Sequence, residues 1–318
     1  MNTYRITLER QSAFATPLKG DTLFGQLCWA IRNRFGEKRL TELLAGYTNA
    51  QPFAVVADAF PKGFLPLPKL PGSYYDKLKA DDRKAIKKRC WLPDVDVEKP
   101  LAEWLSLAKS SSDIVGDGKN LSEKHPQPHN TINRQTQTTG TGGFAPYSVE
   151  QEWFISSINW SIYILLDTER LKVEDCELCL QDIGCIGFGR DASIGLGKFI
   201  VSEFVETTRF HQAGANACLT LAPCAPQGLN FDGKSSFYQL FTRFGRHGDI
   251  ALHSEGNPFK NPVLLAQTAG VFACHPPMSG YIGQGIGGKG ELSKTLPATV
   301  HQGYAPVIAI NLDTQERS

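Results

Sequence analysis

The sequence predicts an α+β fold of two βαββαβ units, the first interrupted by a long insertion. Three observations lead there. The chain opens on a strand, helix, strand pattern; regular apolar alternation resumes only after a polar stretch from Phe60 to Glu152; and two glycine-rich segments each neighbour a strand.

Tyr4, Ile6 and Leu8 alternate with polar neighbours and predict the first strand. The turn-rich Thr16-Pro-Leu-Lys-Gly20 follows, then a helix with Asp21 or Thr22 as its cap. Leu23, Phe24, Leu27, Cys28, Ile31 and Phe35 recur at three-to-four spacing as its buried stripe. Phe53 to Val56 predicts a second, short strand. The stretch from Phe60 to Glu152 holds Pro61, Pro66, Pro68 and Pro71, a basic segment from Asp76 to Arg89, Ser110 to Ser112, and Thr136 to Gly143, rich in Thr, Gln and Gly. It is too long for an ordinary connection and too polar for a core. An excursion is expected, partly helical around Leu101 to Leu107 and poorly ordered until something binds it.

Ile158, Trp160, Ile162, Ile164 and Leu166 alternate strictly and predict the clearest strand of the chain. A helix from Val173 to Ile186, a glycine-rich loop from Gly187 to Gly197, and a strand through Phe199, Val201 and Phe204 complete the order. This is the ferredoxin-like plan, and it sets a first domain at 1–206 with an insertion at about 60–152. In 207–318 a strand at Cys218 to Leu221, an amphipathic helix from Ser235 to Phe244, strands around Val271 and from Val307 to Leu312, and a loop from Gly280 to Gly290 predict a second, degenerate unit.

With 318 residues and 41% hydrophobic content, the chain can fill two cores. The net charge is +1, from 33 Lys and Arg against 32 Asp and Glu, so no chain-wide field draws nucleic acid and any grip on it is local. The start, Met1-Asn-Thr-Tyr-Arg5, has no basic region leading into an apolar one, and the chain holds no apolar run long enough to span a bilayer. A soluble, unexported, cytoplasmic protein with no membrane partner is expected. Eight cysteines scattered through apolar segments suit free thiols packed in a core. Cys176-x-x-Cys179 with Cys185 has half of a zinc spacing, but no second pair follows, and the same spacing puts both thiols on one side of a helix. No metal and no cofactor is expected.

Gly187 to Lys198 combines Gly187, Gly189, Gly195 and Gly197 with Arg190, Ser193 and Lys198. It is either a tight helix-to-strand connection or a cradle whose N–H groups and cations face a phosphate. The nucleotide P-loop is excluded, because no Gly-Lys-Ser/Thr opens a helix after it, and so is the dinucleotide fingerprint, because the glycines precede a strand. In the second loop Tyr281 is a stacking candidate and Lys289 a phosphate contact. His129, Asn130, Thr131, Asn133 and Arg134 place amides, a hydroxyl and a guanidinium together inside the insertion, a mixture that reads base edges or backbone oxygens. The basic stretch from Asp76 to Arg89 is a solvated face or a contact with RNA or a partner.

Thr16-Pro-Leu-Lys-Gly-Asp-Thr-Leu-Phe-Gly25, His129-Asn-Thr-Ile-Asn-Arg134, Gly187 to Gly197, Gly280-Tyr-Ile-Gly283 and His301-Gln-Gly-Tyr-Ala-Pro306, in that order, resemble the RAMP subunit of the Cas-five group in type III-A (Csm) CRISPR effector complexes. The likeness spans nearly the whole chain. It implies two ferredoxin-like domains and a non-catalytic, RNA-binding part in antiviral defence: a subunit that caps the 5′ handle of the CRISPR RNA between the large palm-domain subunit and the first backbone RAMP subunit. It further implies that Lys19, Gly20, Asp21 and Thr22 line the handle with Gly187 to Lys198. The His129 to Arg134 segment would act as a thumb over the guide, and Gly280 to Gly290 would support the same groove. The stretch from Asp76 to Gly118 matches none of these motifs.

The rival is a RAMP endoribonuclease that processes CRISPR RNA with a histidine as general base. No histidine precedes His125, and His129 sits in the insertion rather than on a fixed element. A metal-dependent nuclease needs converging carboxylates, for which only Asp21 and Asp191 share the expected groove, with duller roles as helix cap and as partner of Arg190. A metabolic enzyme built on a phosphate loop lacks an acid, base or nucleophile beside its glycines.

Overall fold

The computed structural model describes residues 1–77, 83–142, 145–248 and 258–312. The chain runs β1 (Asn2–Arg10), α1 (Gly20–Phe35), α2 (Glu37–Leu44), β2 (Ala54–Val56), β3 (Phe60–Pro61), β4 (Phe64–Pro66), α3 (Arg83–Lys88), β5 (Trp91–Pro93), α4 (Trp104–Leu107) and α5 (Ser111–Val115). Next come β6 (Ser122–His129), β7 (Ile132–Asn133), β8 (Thr138–Thr139), β9 (Tyr147–Phe154), β10 (Trp160–Leu166), α6 (Val173–Ile186) and β11 (Phe199–Glu206). The remainder is all strand among the described residues: β12 (Ala217–Thr220), β13 (Asp232–Phe237), β14 (Leu240–Arg243), β15 (Val263–Ala266), β16 (Val271–Ala273), β17 (Tyr281–Gly287) and β18 (Val300–Ile310). The result is a mixed α/β molecule with few helices and many strands.

The first sheet has the order β11-β1-β10-β2, with β3 also on β10, and every pairing is antiparallel. The alternation of Tyr4, Ile6 and Leu8 points their side chains to one face, where Ile162 and Ile164 of β10 join them against α1 and α6. Both helices present the stripes their spacing predicts, Leu23, Phe24, Leu27 and Ile31 from α1 and Cys176, Cys179, Leu180 and Ile183 from α6. Phe35, counted in the first stripe, is exposed. Asp21 and Thr22 do not cap α1: the N-cap is Lys19, without a side-chain cap, and Asp21 is buried inside the first turn.

The first part of the insertion, from Phe60 to Val115, is packed, which corrects the expectation of a polar excursion there, while the hairpin from Ser122 to Phe154 is largely exposed. Leu65, Tyr75, Leu92, Val97, Leu101 and Trp104 are buried in one cluster with Phe60 and Tyr163 of the first sheet and Leu219, Val271, Ile308 and Ile310 of the second. Sparse apolar anchors suffice because the neighbours that cover them come from both sheets. Trp104 is fully buried, its Nε1–H donating to the Lys99 carbonyl at 3.0 Å. Turns at Gly72–Tyr74, Asp94–Asp96 and Leu101–Glu103 link the short elements. Residues 78–82 of the basic stretch and Gly143 of the Thr-rich stretch lie outside the described residues.

A capping box ends this folded part. The Ser110 hydroxyl accepts from the Asp113 amide and the Asp113 carboxylate accepts from the Ser110 amide, which holds that carboxyl below its ordinary value. Ser110→Ala is expected to cost about 1 kcal/mol. Hydrogen exchange on the RNA-free chain, with faster exchange confined to 110–116, checks both the cap and the insertion's own order.

The second sheet has the order β13-β16-β12-β18-β17. The predicted helix from Ser235 to Phe244 is instead parts of β13 and β14, and β14 pairs with β15 in a ribbon. The predicted loop from Gly280 to Gly290 is mostly β17, paired along its whole length with β18. The two sheets are stitched by Gln302, which is fully buried in β18: its side-chain amide donates to the Val56 carbonyl and accepts from the Val56 N–H, both at 2.8 Å. It thereby completes the free edge of β2 as a strand would. Tyr304 adds its hydroxyl to the Tyr47 carbonyl at 2.6 Å.

Candidate functional site

The Gly187–Lys198 loop closes on the segment between β1 and α1. Most of its N–H groups are bonded within the protein: Phe188 to the Gly197 carbonyl, Arg190 to Thr16 Oγ1 at 2.9 Å, Gly197 to the Ala13 carbonyl at 2.8 Å and Lys198 to Ser12 Oγ at 2.9 Å. Its glycines answer a steric demand. A Cβ on Gly197 (φ +73°) would lie 2.2 Å from the Phe188 carbonyl oxygen, and one on Gly189 (φ +80°) 2.4 Å from the Thr16 side chain. Of the two readings of this loop, the tight connection therefore accounts for the glycines. What remains for a ligand is the row of exposed side chains Arg190, Ser193 and Lys198 on a rigid frame.

Arg190 reaches the hairpin of β6 and β9. Its Nη2 donates to the Glu150 carbonyl at 3.4 Å and its Nε pairs with Asp191 at 3.2 Å. The hairpin is anchored below by Arg10, which lies 4.2 Å from the Phe154 ring and 4.8 Å from the Trp160 ring and donates to the Ile158 carbonyl at 2.7 Å. Burial pulls that guanidinium down to about 9, with the Glu152 charge opposing. The hairpin then extends away, its ladder running without slip from Ser122↔Phe154 to His129↔Tyr147.

At the far end the His129 and Tyr147 rings stack at 5.1 Å and 11°. Beyond them Asn130, Thr131, Asn133 and Arg134 are exposed on the small hairpin of β7 and β8. The Asn133 carboxamide is partly engaged, accepting from the Gln135 amide at 2.9 Å. Along the face of His129 and Tyr147 the ladder also places Gln127, Val149, His125, Gln151, Glu123 and Trp153. Tyr147 and Trp153 were missed by the motif reading, although their two-residue alternation from 147 to 153 is visible in the sequence. A concavity at the hairpin's foot carries Glu123 and Glu152 beside Lys124 and His125, a charge mix unsuited to phosphate.

Lys19 to Thr22 lie elsewhere, at the junction of the two sheets. Lys19 Nζ pairs with Asp58 at 2.7 Å, Gly20 N–H donates to the same carboxylate at 2.8 Å and Thr268 Oγ1 donates to it at 2.5 Å. Asp21 accepts from Arg243 Nε at 2.7 Å and Nη2 at 3.1 Å, with His301 Nε2 at 3.4 Å. Gly20 and Asp21 are thus buried within the protein's own polar network. Lys19 keeps two-fifths of its side chain exposed, and Thr22 is half-buried. Asp58, Arg243, Thr268 and His301 escaped the sequence reading. A carboxylate in the apolar run from Phe53 to Phe60 was the available signal for the first.

Tyr281 and Lys289 form no common groove with the other candidates. The half-buried Tyr281 ring packs edge-on to Tyr304 at 5.4 Å and its hydroxyl donates to the Ala50 carbonyl at 3.4 Å. Gly285 is where β17 meets the first sheet's side: a Cβ there would lie 2.5 Å from the Tyr47 carbonyl oxygen. Lys289 is exposed in the turn after β17. Cys176 and Cys179 are buried in the first core and Cys185 is exposed. No helix among the described residues is long and apolar enough to cross a membrane.

No protein-family model matches the sequence. No curated protein matches it by sequence either. Solved structures do match along nearly the whole chain. The Csm4 subunit in a Csm3–Csm4 subcomplex of the type III-A CRISPR–Cas interference complex superposes with a TM-score of 0.62 at 14% identity, over 98% of this chain and 100% of that one. The fold is that of Csm4. The Csm4 subunit of a Csm1–Csm4 cassette in complex with cA4 gives 0.61 at 14% identity, over 99% and 100% of the two chains. A cassette in complex with pppApA gives 0.59 at 16% identity, over 98% and 99%. In those structures Csm4 stands beside Csm1 or Csm3. The Csm4 fold includes the insertion of this chain and its second sheet, since neither is left out of the superposed length.

Proposed function

We propose that the chain is a non-catalytic subunit of a type III-A CRISPR effector complex that binds the 5′ handle of the CRISPR RNA and bridges a large palm-domain subunit to the backbone RAMP subunits in the cytoplasm. One observation carries the reading beyond the fold: Arg190, Ser193 and Lys198 stand exposed on a loop braced against the hairpin whose far end bears His129, Asn130, Thr131, Asn133 and Arg134. A rigid cationic row beside a projecting arm suits an RNA backbone that runs from the loop toward the arm. In this reading residues 1–206 are one ferredoxin-like domain, supported by the order β11-β1-β10-β2 with α1 and α6 on one face. Residues 207–318 are a degenerate second one. Lys19, Thr22 and Lys289 remain outlying candidates for contact.

The absence of catalysis is supported by where the histidines stand. His129 is stacked on Tyr147, His301 faces Asp21 and Arg243, and His247 is buried against Ser293 Oγ at 2.8 Å. None of these three pairs or hydrogen-bonds with Arg190 or Lys198, whose recorded partners are Thr16, Glu150, Asp191 and Ser12.

The test is to co-express the chain with its genomic neighbours, purify the assembly and map ultraviolet crosslinks to retained RNA. Crosslinks within 187–198 and 129–134, on uncut RNA of uniform 5′ end, are expected. The double variant Arg190→Ala, Lys198→Ala is expected to weaken RNA retention and to lower the log–log salt slope by about 1 per phosphate contact removed. RNA that shortens in the presence of the chain, and stops doing so in His129→Ala, would replace this function by that of an endoribonuclease. An assembly that carries no RNA in the chain's presence would overturn both.

A further inference from the structure

Two thiols meet inside the second sheet. Cys218 lies within β12 and is fully buried; Cys274, one residue past β16, is 9% exposed. Cys218 faces Phe272 across the ladder, so Cys274 is its diagonal neighbour, and the two Sγ atoms stand 3.7 Å apart, sharing a hydrogen bond. A disulfide needs them at about 2.05 Å, and because diagonal neighbours of an antiparallel pair stand about 7–8 Å apart, closure takes side-chain rotation together with a backbone shift, which Cys274 can make because it lies beyond the paired strand. The shared hydrogen bond holds the Cys274 thiol below its ordinary value, and together with burial it pushes Cys218 up. Cys274, nearer to solvent, is therefore the sulfur that ionises.

We propose that Cys218 and Cys274 are a redox pair that closes to an intramolecular disulfide under peroxide. The Cys274 thiolate attacks one peroxide oxygen, the O–O bond breaks, and hydroxide leaves and is protonated to water, giving a sulfenic acid. The Cys218 sulfur, losing its proton, then attacks that sulfur; the S–O bond breaks and a second water leaves. Two thiols are oxidised and one hydrogen peroxide is reduced to two waters. The bond ties β12 to the segment that leads into β17, the strand whose Gly285 lies against Tyr47 of the first unit. Oxidation would thereby fix the approach of β17 to the junction of the two sheets. The proposal does not depend on what the chain binds.

The experiment treats the full chain with hydrogen peroxide, alkylates the remaining thiols, digests without reduction and maps the peptides by mass spectrometry. A Cys218–Cys274 linked peptide is expected, with the thiol count falling by two from the eight of the sequence. In Cys218→Ser, oxidation is expected to stop at a dimedone-reactive sulfenic acid on Cys274. A wild-type chain that gives sulfinic or sulfonic acid at Cys274, or links only through Cys224 or through the exposed Cys90 and Cys185, would overturn the pairing. Should Cys218→Ser not fold, the wild-type map decides alone.

Discussion

Asp58→Ala is expected to destabilise the chain by about 3–5 kcal/mol, the cost of emptying one side of a buried charged network. The carboxylate is 1% exposed and accepts from three donors drawn from distant parts of the sequence, Lys19, the Gly20 amide and Thr268. Burial pushes its carboxyl above the ordinary value while Lys19 and the hydrogen bonds pull back. In Asp58→Ala the freed Lys19 can turn to water, since its side chain is two-fifths exposed, whereas Lys19→Ala leaves the buried carboxylate without its cation and is expected to cost about 3 kcal/mol. The first amide of α1 is buried and has no such escape, so its orphaning accounts for a large part of the loss. The backbone around Asp58 matters too: its N–H donates to the Leu221 carbonyl at 2.9 Å, so with Thr268 this residue, two past β2, is held twice by segments next to strands of the second sheet. Urea unfolding of both variants is the measurement. Equal midpoints for Asp58→Ala and wild type would mean that the junction does not depend on this carboxylate.

The junction marks the boundary of what could be read in advance. β1, β10 and α6 were legible because their partners lie on regular faces: α6 spans Val173–Ile186 as its apolar spacing predicts, and β10 keeps the alternation of Trp160, Ile162 and Ile164. The insertion was misread because average polarity hides a few anchors, and Trp104 or Val97 finds its cover in Ile308 and Val271, some two hundred residues on in the chain. Phe237, Leu240, Phe241 and Phe244 fit a helical stripe equally well. The first three are strand residues because β15 and β16, outside any local window, supply ladders for them, and Phe244 follows the end of β14. Glycines at 283, 285 and 287 suggested a loop, yet a strand without side chains on one face is what lets β17 approach Tyr47. At the site, residue types were read correctly as cations and glycines, but one sequence does not reveal that Thr16, Ser12 and Ala13 already occupy the loop's amides.

The stability of the same junction is expected to fall with acid through Asp21. Burial opposes the charged form of this carboxylate, but the His301 imidazole 3.4 Å away and the Arg243 guanidinium outweigh it and hold the carboxyl below its ordinary value. A depressed value in the folded state means that the stabilisation is complete above the unfolded value of about 3.9 and is lost as the pH falls through the folded one. Asp21→Asn keeps the shape and removes the charge, leaving Arg243 with a neutral partner. Because about a quarter of the Arg243 side chain reaches water, the cost at neutral pH is expected at the lower end of the range for buried pairs, about 3 kcal/mol. The measurement is urea unfolding of wild type and Asp21→Asn at pH 7, 5 and 3. The gap between them is expected to be equal at pH 7 and 5 and to narrow below about pH 4, where the wild-type carboxylate begins to take up its proton. A gap that is absent at pH 7, or that widens in acid, would mean that Asp21 is not the anion that Arg243 and His301 hold. If the gap narrows as expected, the first turn of α1 is an electrostatic clasp between the two sheets, and the sequence position that resembles a helix cap serves assembly of the fold rather than contact with RNA.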